Sequence, residues 1–218
     1  MPSWPALAIG FLGPLVLVAF AKFVDLAEHP KDTLFHFITG ALLAFVALIA
    51  EHYVFEIFGS SIPAQYRLAA QAFVFVALTE EVVKTAQIAE LAGRKAATLR
   101  DTIAIGVAVA AGFAGAENVI YLFRYSDAVA DLLVIRTLTA NPLHLAVGAI
   151  ASSYIFVAVT DQAKSHFLAI AVLVATFFHG LYDYLIMSSG GRSYKYIFVL
   201  AFVISWAWRI ARQNNSPT

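Results

Sequence analysis

Residues 68–91 read LAAQAFVFVALTEEVVKTAQIAEL, and this stretch decides the fold. It is an apolar run long enough to span a bilayer as a helix, for which ~20 residues suffice. Within five residues it carries Glu80, Glu81 and Lys84. At the centre of a bilayer each such charge costs ~2.5–3.5 kcal/mol on insertion scales, so charged residues there pair with one another or face a wet interior. Lys84 lies one helical turn beyond both glutamates, at i+4 from Glu80 and i+3 from Glu81, so either pairing is local. The two glutamates are adjacent and point about 100° apart, so they cannot share one role. One carboxylate is free for chemistry and the other is held by Lys84 or a neighbouring helix. A buried ion pair that only fixes helix packing would also account for the cluster.

The whole chain agrees with this start. Its 218 residues are 61% hydrophobic and only 13% charged, with a mean hydropathy of +0.80. Soluble domains carry about 25% charged residues. The expected fold is therefore an all-α polytopic membrane helix bundle, one domain over residues 1–218. With a formal charge of zero, nothing suggests a nucleic-acid partner. The absence of cysteine excludes disulfides, thiolate metal sites and cysteine nucleophiles.

About seven transmembrane segments follow: residues 5–23, 34–58, 68–91, 102–123, 142–159, 167–187 and 194–210. Ala19-Phe20-Ala21 resembles a signal-peptide cleavage site, but no Lys or Arg precedes the first run, so that helix is expected to be retained. Seven spans put the termini on opposite sides. With the C-terminus inside, Lys22, Lys31, Arg94, Lys95, Arg100, Lys164, Arg209 and Arg212 face the cytoplasm, against Arg67, Arg124, Arg136, Arg192 and Lys195 outside. The bias favours N-out, C-in. Residues 131–139, in the longest outer connection, form a short surface helix that ends before Asn141-Pro142.

Other polar residues are out of place in lipid. Glu117 and Asn118 follow the small-residue run 106–112, which lets another helix approach closely. Glu117 has no Lys or Arg within a turn on its own helix, so it is protonated, paired elsewhere, or bound to a cation or water. His144 opens the fifth segment, where an interfacial histidine would be unremarkable. His179 and Asp183 are i,i+4 in the sixth, on one face, able to hydrogen-bond each other or share an ion. Counted from the cytoplasmic span ends at ~1.5 Å per residue, Glu80, Glu117, His144, His179 and Asp183 fall into one layer in the outer half of the membrane. His29, His36, His52, His166, Glu51 and Glu56 lie nearer span ends and read as interfacial. Tyr53, Tyr121, Trp206 and Trp208 suit the aromatic belts.

These pieces resemble the PrsW family of intramembrane proteases, distant relatives of the CAAX prenyl endopeptidases. The matching residues are Asp25 with Glu28-His29-Pro30, Glu80-Glu81-x-x-Lys84, Asp101, Gly112-Phe113-Ala114-x-x-Glu117-Asn118-x-x-Tyr121, His144 and His179-Gly180-x-Tyr182-Asp183. They keep the family's order over about residues 20–187, with the catalytic helices within about 68–187. Thr102 departs from the glycine usual after the aspartate. The resemblance implies hydrolysis of a peptide bond in or beside the transmembrane segment of a single-pass membrane protein, typified by an anti-sigma factor cut on its extracytoplasmic side. It implies Glu80, Glu81, Glu117, His144, His179 and Asp183 as site residues, with Lys84, Asn118 and Phe113 in support.

Two mechanisms stay open. In one, zinc is held by His144, His179 and a carboxylate such as Glu117 or Asp183, with Glu80 or Glu81 as general base. In the other no metal takes part, and a glutamate with a histidine activates water while His179, Asn118 or Asp183 stabilises the oxyanion. No His-Glu-x-x-His presets a ligand pair on one helix. A proton- or cation-coupled transporter would also need buried acids and histidines, but would show repeat symmetry, and none is visible. A haem protein could use His144 and His179 yet leaves the glutamates unexplained, and a non-catalytic scaffold leaves Glu80, Glu117 and Asp183 without partners.

Overall fold

The computed structural model describes residues 1–21, 30–95, 98–189 and 195–213. Among these residues there is helix and no strand. The helices are α1 (Trp4–Ala21), α2 (Pro30–Phe58), α3 (Arg67–Ala70), α4 (Thr79–Lys95), α5 (Leu99–Arg124), α6 (Val129–Leu138), α7 (Ala140–Thr160), α8 (Phe167–Ser189) and α9 (Lys195–Gln213). Each of the seven expected segments carries a long helix. Four stretches are long and apolar enough to cross a membrane: Lys31–Ser61, Leu99–Arg124, Ser126–Thr160 and Phe167–Ser188. The matching part of α1 is a shorter apolar helix, Trp4–Ala19. Asp25, Glu28 and His29 lie outside the described residues.

Helix α2 shows how such a chain divides its surface. Thr33, Phe37, Ala41, Ala44 and Ala47 are buried, whereas Leu34, Phe35, Ile38, Leu42, Phe45 and Ile49 are exposed. Both sets recur at helical spacing, so the helix is apolar all round. In water such an exposed stripe would be an aggregation liability; in a bilayer it is the lipid-facing side.

The centre is α5. It packs on α2, α7 and α1 and buries an almost unbroken run from Thr102 to Ala116. Small side chains make this possible, because helices in lipid associate through close backbone contact. A Cβ added at Gly112 would collide with the Phe37 carbonyl of α2, and one at Gly40 with the Val109 carbonyl of α5. At its start α5 is capped reciprocally: Asp101 N donates to Thr98 Oγ1 at 3.1 Å and Thr98 N donates to Asp101 Oδ2 at 3.0 Å. Asp101 thus has a structural task, and Thr102 beside it is buried without cost to the cap.

The third expected segment is not one regular helix. Between α3 and α4, Gln71–Leu78 is wound as a π-helix, a form found mostly as short insertions and frequently at functional sites. It changes the angular register at which the following Glu80 and Glu81 leave the helix. The surface helix expected at 131–139 is α6, and the chain turns at Thr139. Pro142 lies in the first turn of α7, where its missing N–H is an orphan in any case.

Candidate active site

Helix α4 delivers Glu80, Glu81 and Lys84, α5 delivers Glu117 and Asn118, α7 delivers His144, and α8 delivers His179 and Asp183. All six sequence-identified site residues meet at one place. Glu80, Glu81, Lys84, His144 and His179 are each buried, as are Asn118 and Phe113.

The approach of α8 is set beside its histidine. A Cβ on Gly180 would run into the Phe73 ring on the π-helical stretch at 2.5 Å. Glycine at this position lets α8 dock against that stretch, and His179 then reaches α4. Its Nδ1 lies 2.8 Å from Glu81 Oε1 and 3.8 Å from Glu80 Oε2, and its Nε2 lies 3.4 Å from Asp183 Oδ2. The i,i+4 pairing on α8 is therefore present as expected.

Lys84 is held by both glutamates. Its Nζ is 2.5 Å from Glu81 Oε1 and 3.4 Å from Glu80 Oε2, with His144 Nδ1 at 3.3 Å and the Phe113 ring 4.5 Å away. Glu81 Oε1 is thus engaged by both Lys84 and His179, and Glu80 only loosely. His144, far from being interfacial, is buried, and its ring meets that of His179 edge-on with centroids 4.8 Å apart. Its Nε2 lies 2.9 Å from Glu117 Oε2.

Glu117 is paired elsewhere, by a residue of the short surface helix in the outer connection. Arg136 of α6 brings Nη2 to 2.9 Å from Glu117 Oε2 and Nε to 2.5 Å from Asn118 Oδ1. Asn118 Nδ2 in turn donates to Asn141 Oδ1 at 3.0 Å and to the Gly10 carbonyl at 2.9 Å. The Arg136 guanidinium also lies 4.3 Å over the Tyr121 ring. His36 is buried within the bundle. The aromatic character of Tyr121 and the polarity of Asn141 beside Pro142 were visible signals. Arg136 gave none.

Four residues offer donor atoms mutually within 4.8 Å: Glu80, Glu81, His144 and His179. Two carboxylates and two imidazoles form a donor set suited to zinc. Histidine ligands almost always pass their second nitrogen to a carboxylate, carbonyl or water, and here Glu117 and Asp183 receive those nitrogens. The residues therefore fit a divalent ion. The grouping differs from the expected ligand set, because Glu117 and Asp183 stand behind the histidines, and Glu80 and Glu81 stand with them.

A helical membrane chain that buries paired carboxylates and imidazoles at one point is equipped for acid–base or metal chemistry inside the bilayer. Comparison with known proteins narrows that class. Residues 28–208 match the model of the PrsW family intramembrane metalloproteases. Protease PrsW of Shouchella clausii (strain KSM-K16) is 30% identical over 185 residues, 82% of each chain. Protease PrsW of Clostridioides difficile (strain 630) is 28% identical over 197 residues, 84% of this chain and 79% of the relative. Protease PrsW of Bacillus subtilis (strain 168) is 27% identical over 118 residues, 53% of each. No solved structure matches. The chain belongs to the PrsW family, and it is an integral membrane peptidase.

Proposed function

We propose that this chain is a single catalytic domain that hydrolyses a peptide bond in or next to the transmembrane segment of a single-pass membrane protein, of the anti-sigma-factor kind. Catalysis is assigned to Glu80, Glu81, His144 and His179, with Glu117 and Asp183 orienting the two rings. The observation that carries this reading is the convergence of those four donors within 4.8 Å, from three helices, in a buried setting. The excess of Lys and Arg in the segments assigned to the cytoplasm supports an N-out, C-in chain with the site in the outer half of the membrane.

Within the cluster the two glutamates divide the work. Glu81 anchors Lys84 and His179. Glu80 keeps oxygen lone pairs free and accepts the proton of the attacking water, later passing it to the leaving amine. Lys84 balances the two carboxylates. A divalent ion such as zinc would be held by Glu81, His144 and His179, and the chemistry it would supply is Lewis-acid polarisation next to Glu80. A metal-free reading has its own support, because Lys84 Nζ already sits among Glu80 Oε2, Glu81 Oε1 and His144 Nδ1. In that reading Lys84 is the site's resident cation, and Glu80 with His179 drives hydrolysis alone.

The test is cleavage of a reconstituted single-pass substrate by Glu80→Gln and His179→Ala, with metal content measured on the same preparations. Turnover should fall by roughly 10²–10⁴-fold in each while the helical fold is kept. Retained activity in both variants would sink the assignment. Near-stoichiometric zinc lost on His144→Ala selects the metal reading; active protein without metal selects the other.

A further inference from the structure

None of the residues of α6 is buried, yet one of its side chains ends inside the site. Val134, Ile135 and Leu138 face outward, while the Arg136 side chain is only 12% exposed. Its three partners, Glu117, Asn118 and Tyr121, occupy one turn of α5. They offer a carboxylate, an amide oxygen and an aromatic face. That set matches a planar guanidinium, which donates along a rigid fork and stacks on rings, better than a point-charge ammonium. Next along the chain, Thr139 Oγ1 shares a 2.7 Å hydrogen bond with Tyr182 OH on α8, one residue before Asp183. The corner between α6 and α7 is thus pinned at both sides of the site.

The Glu117 oxygen that meets Arg136 is the one that meets His144 Nε2. His144 Nδ1 faces Lys84 Nζ. An imidazole between a carboxylate and an ammonium can satisfy both only as the tautomer with hydrogen on Nε2 and a lone pair on Nδ1. Lys84 favours the lone pair on Nδ1 and Glu117 the hydrogen on Nε2, so displacing Glu117 removes one of the two contacts that fix the tautomer. Among the described residues, Arg136 is the guanidinium or ammonium within ion-pair distance of Glu117.

We propose that Arg136 is a positioning residue: it holds the Glu117 carboxylate, which fixes the His144 ring with its Nδ1 lone pair toward Glu80, Glu81 and Lys84. Assembly of the site is thereby tied to the docking of α6. The inference rests on reading this cluster as the peptidase site.

The experiment uses the full chain in nanodiscs with ¹⁵N-labelled histidine. Wild-type His144 should show a protonated Nε2 and an unprotonated Nδ1. In Arg136→Gln the two tautomers should mix, and kcat on a single-pass substrate should fall about 10–100-fold, as for other lost outer partners, with KM unchanged. Arg136→Lys should restore part of both. Arg136→Met, which keeps packing over Tyr121, carries the same measurement if the glutamine variant does not fold. A wild-type tautomer with wild-type kcat in the folded variants overturns the positioning role and leaves the peptidase reading standing. Full turnover in Glu80→Gln would instead remove that reading, while the tautomer of His144 still judges Arg136.

Discussion

The two histidines of the site are supported in opposite ways. His179 has carboxylates at both nitrogens, Glu81 and Asp183, and one of these lies a single turn away on its own helix. His144 has a donor at one nitrogen and an acceptor at the other, Lys84 and Glu117, each from another helix. Behind Glu117 stands Arg136, from a third. The His179 arm is thus half local, through Asp183, and half tertiary, through Glu81 on α4. The His144 arm exists only once α4, α5, α6 and α7 are assembled. One arm has a partner set by sequence spacing, the other has partners set by tertiary packing alone.

The largest effect should come from breaking both arms together, and Lys84 is the residue that joins them. It binds Glu81, which holds His179, and it faces His144 Nδ1. Removing one partner of a buried ion pair leaves an uncompensated charge and costs about 3–5 kcal/mol. Lys84→Met should therefore lower the unfolding free energy in detergent by that order, beyond any effect on turnover. An unchanged melting temperature would mean that the charges of α4 are not buried as described.

An intermediate effect should follow from breaking one arm at a time. Glu117→Gln loosens His144, and Asp183→Asn loosens His179. Each substitution should lower turnover about 10–100-fold, the usual loss for an outer partner. Glu117→Gln should cost more, since it also leaves the Arg136 guanidinium without its carboxylate. If the arms are independent, the double variant shows the sum of the single losses within about 0.5 kcal/mol of transition-state energy. A larger coupling would make the two arms one network through Lys84.

This contrast also explains what could be read from the chain beforehand. The helical class followed from composition, and the meeting of Glu80, Glu117, His144 and His179 followed from counting depth along each helix. The pairing of His179 with Asp183 followed from their spacing. Depth fixes position along the membrane normal but not around it. That is why the burial of His36 within the bundle and the contact of Tyr121 with Arg136 were not legible from their places near span ends. The same gap left open which carboxylates stand with the histidines and which behind them; Glu117 lies at Nε2 of His144. The π-helical stretch left no trace, because Gln71–Leu78 is composed like any apolar helix. A single arginine on a ten-residue surface helix looks like any other, and its reach into the site depends on how α6 folds back.

The smallest expected effect separates motif residues inside the cluster from one outside it. Asp101 belongs to the pattern shared with the family, and pattern alone would rank it with Glu80. Its side chain, however, accepts from Thr98 N and Thr98 Oγ1 at the start of α5. Its task is to satisfy an orphan donor of the helix end. Asp101→Ala should cost about 1 kcal/mol of stability, the usual worth of such a cap. Turnover per folded molecule should stay at the wild-type value, because α5 is anchored far more strongly by its packing on α2 and α7 than by its first turn. Denaturation in detergent and kcat on the same preparation decide the matter. A fall in kcat with stability intact would show that the loop before α5 reaches the substrate, and would move Asp101 from scaffold to site.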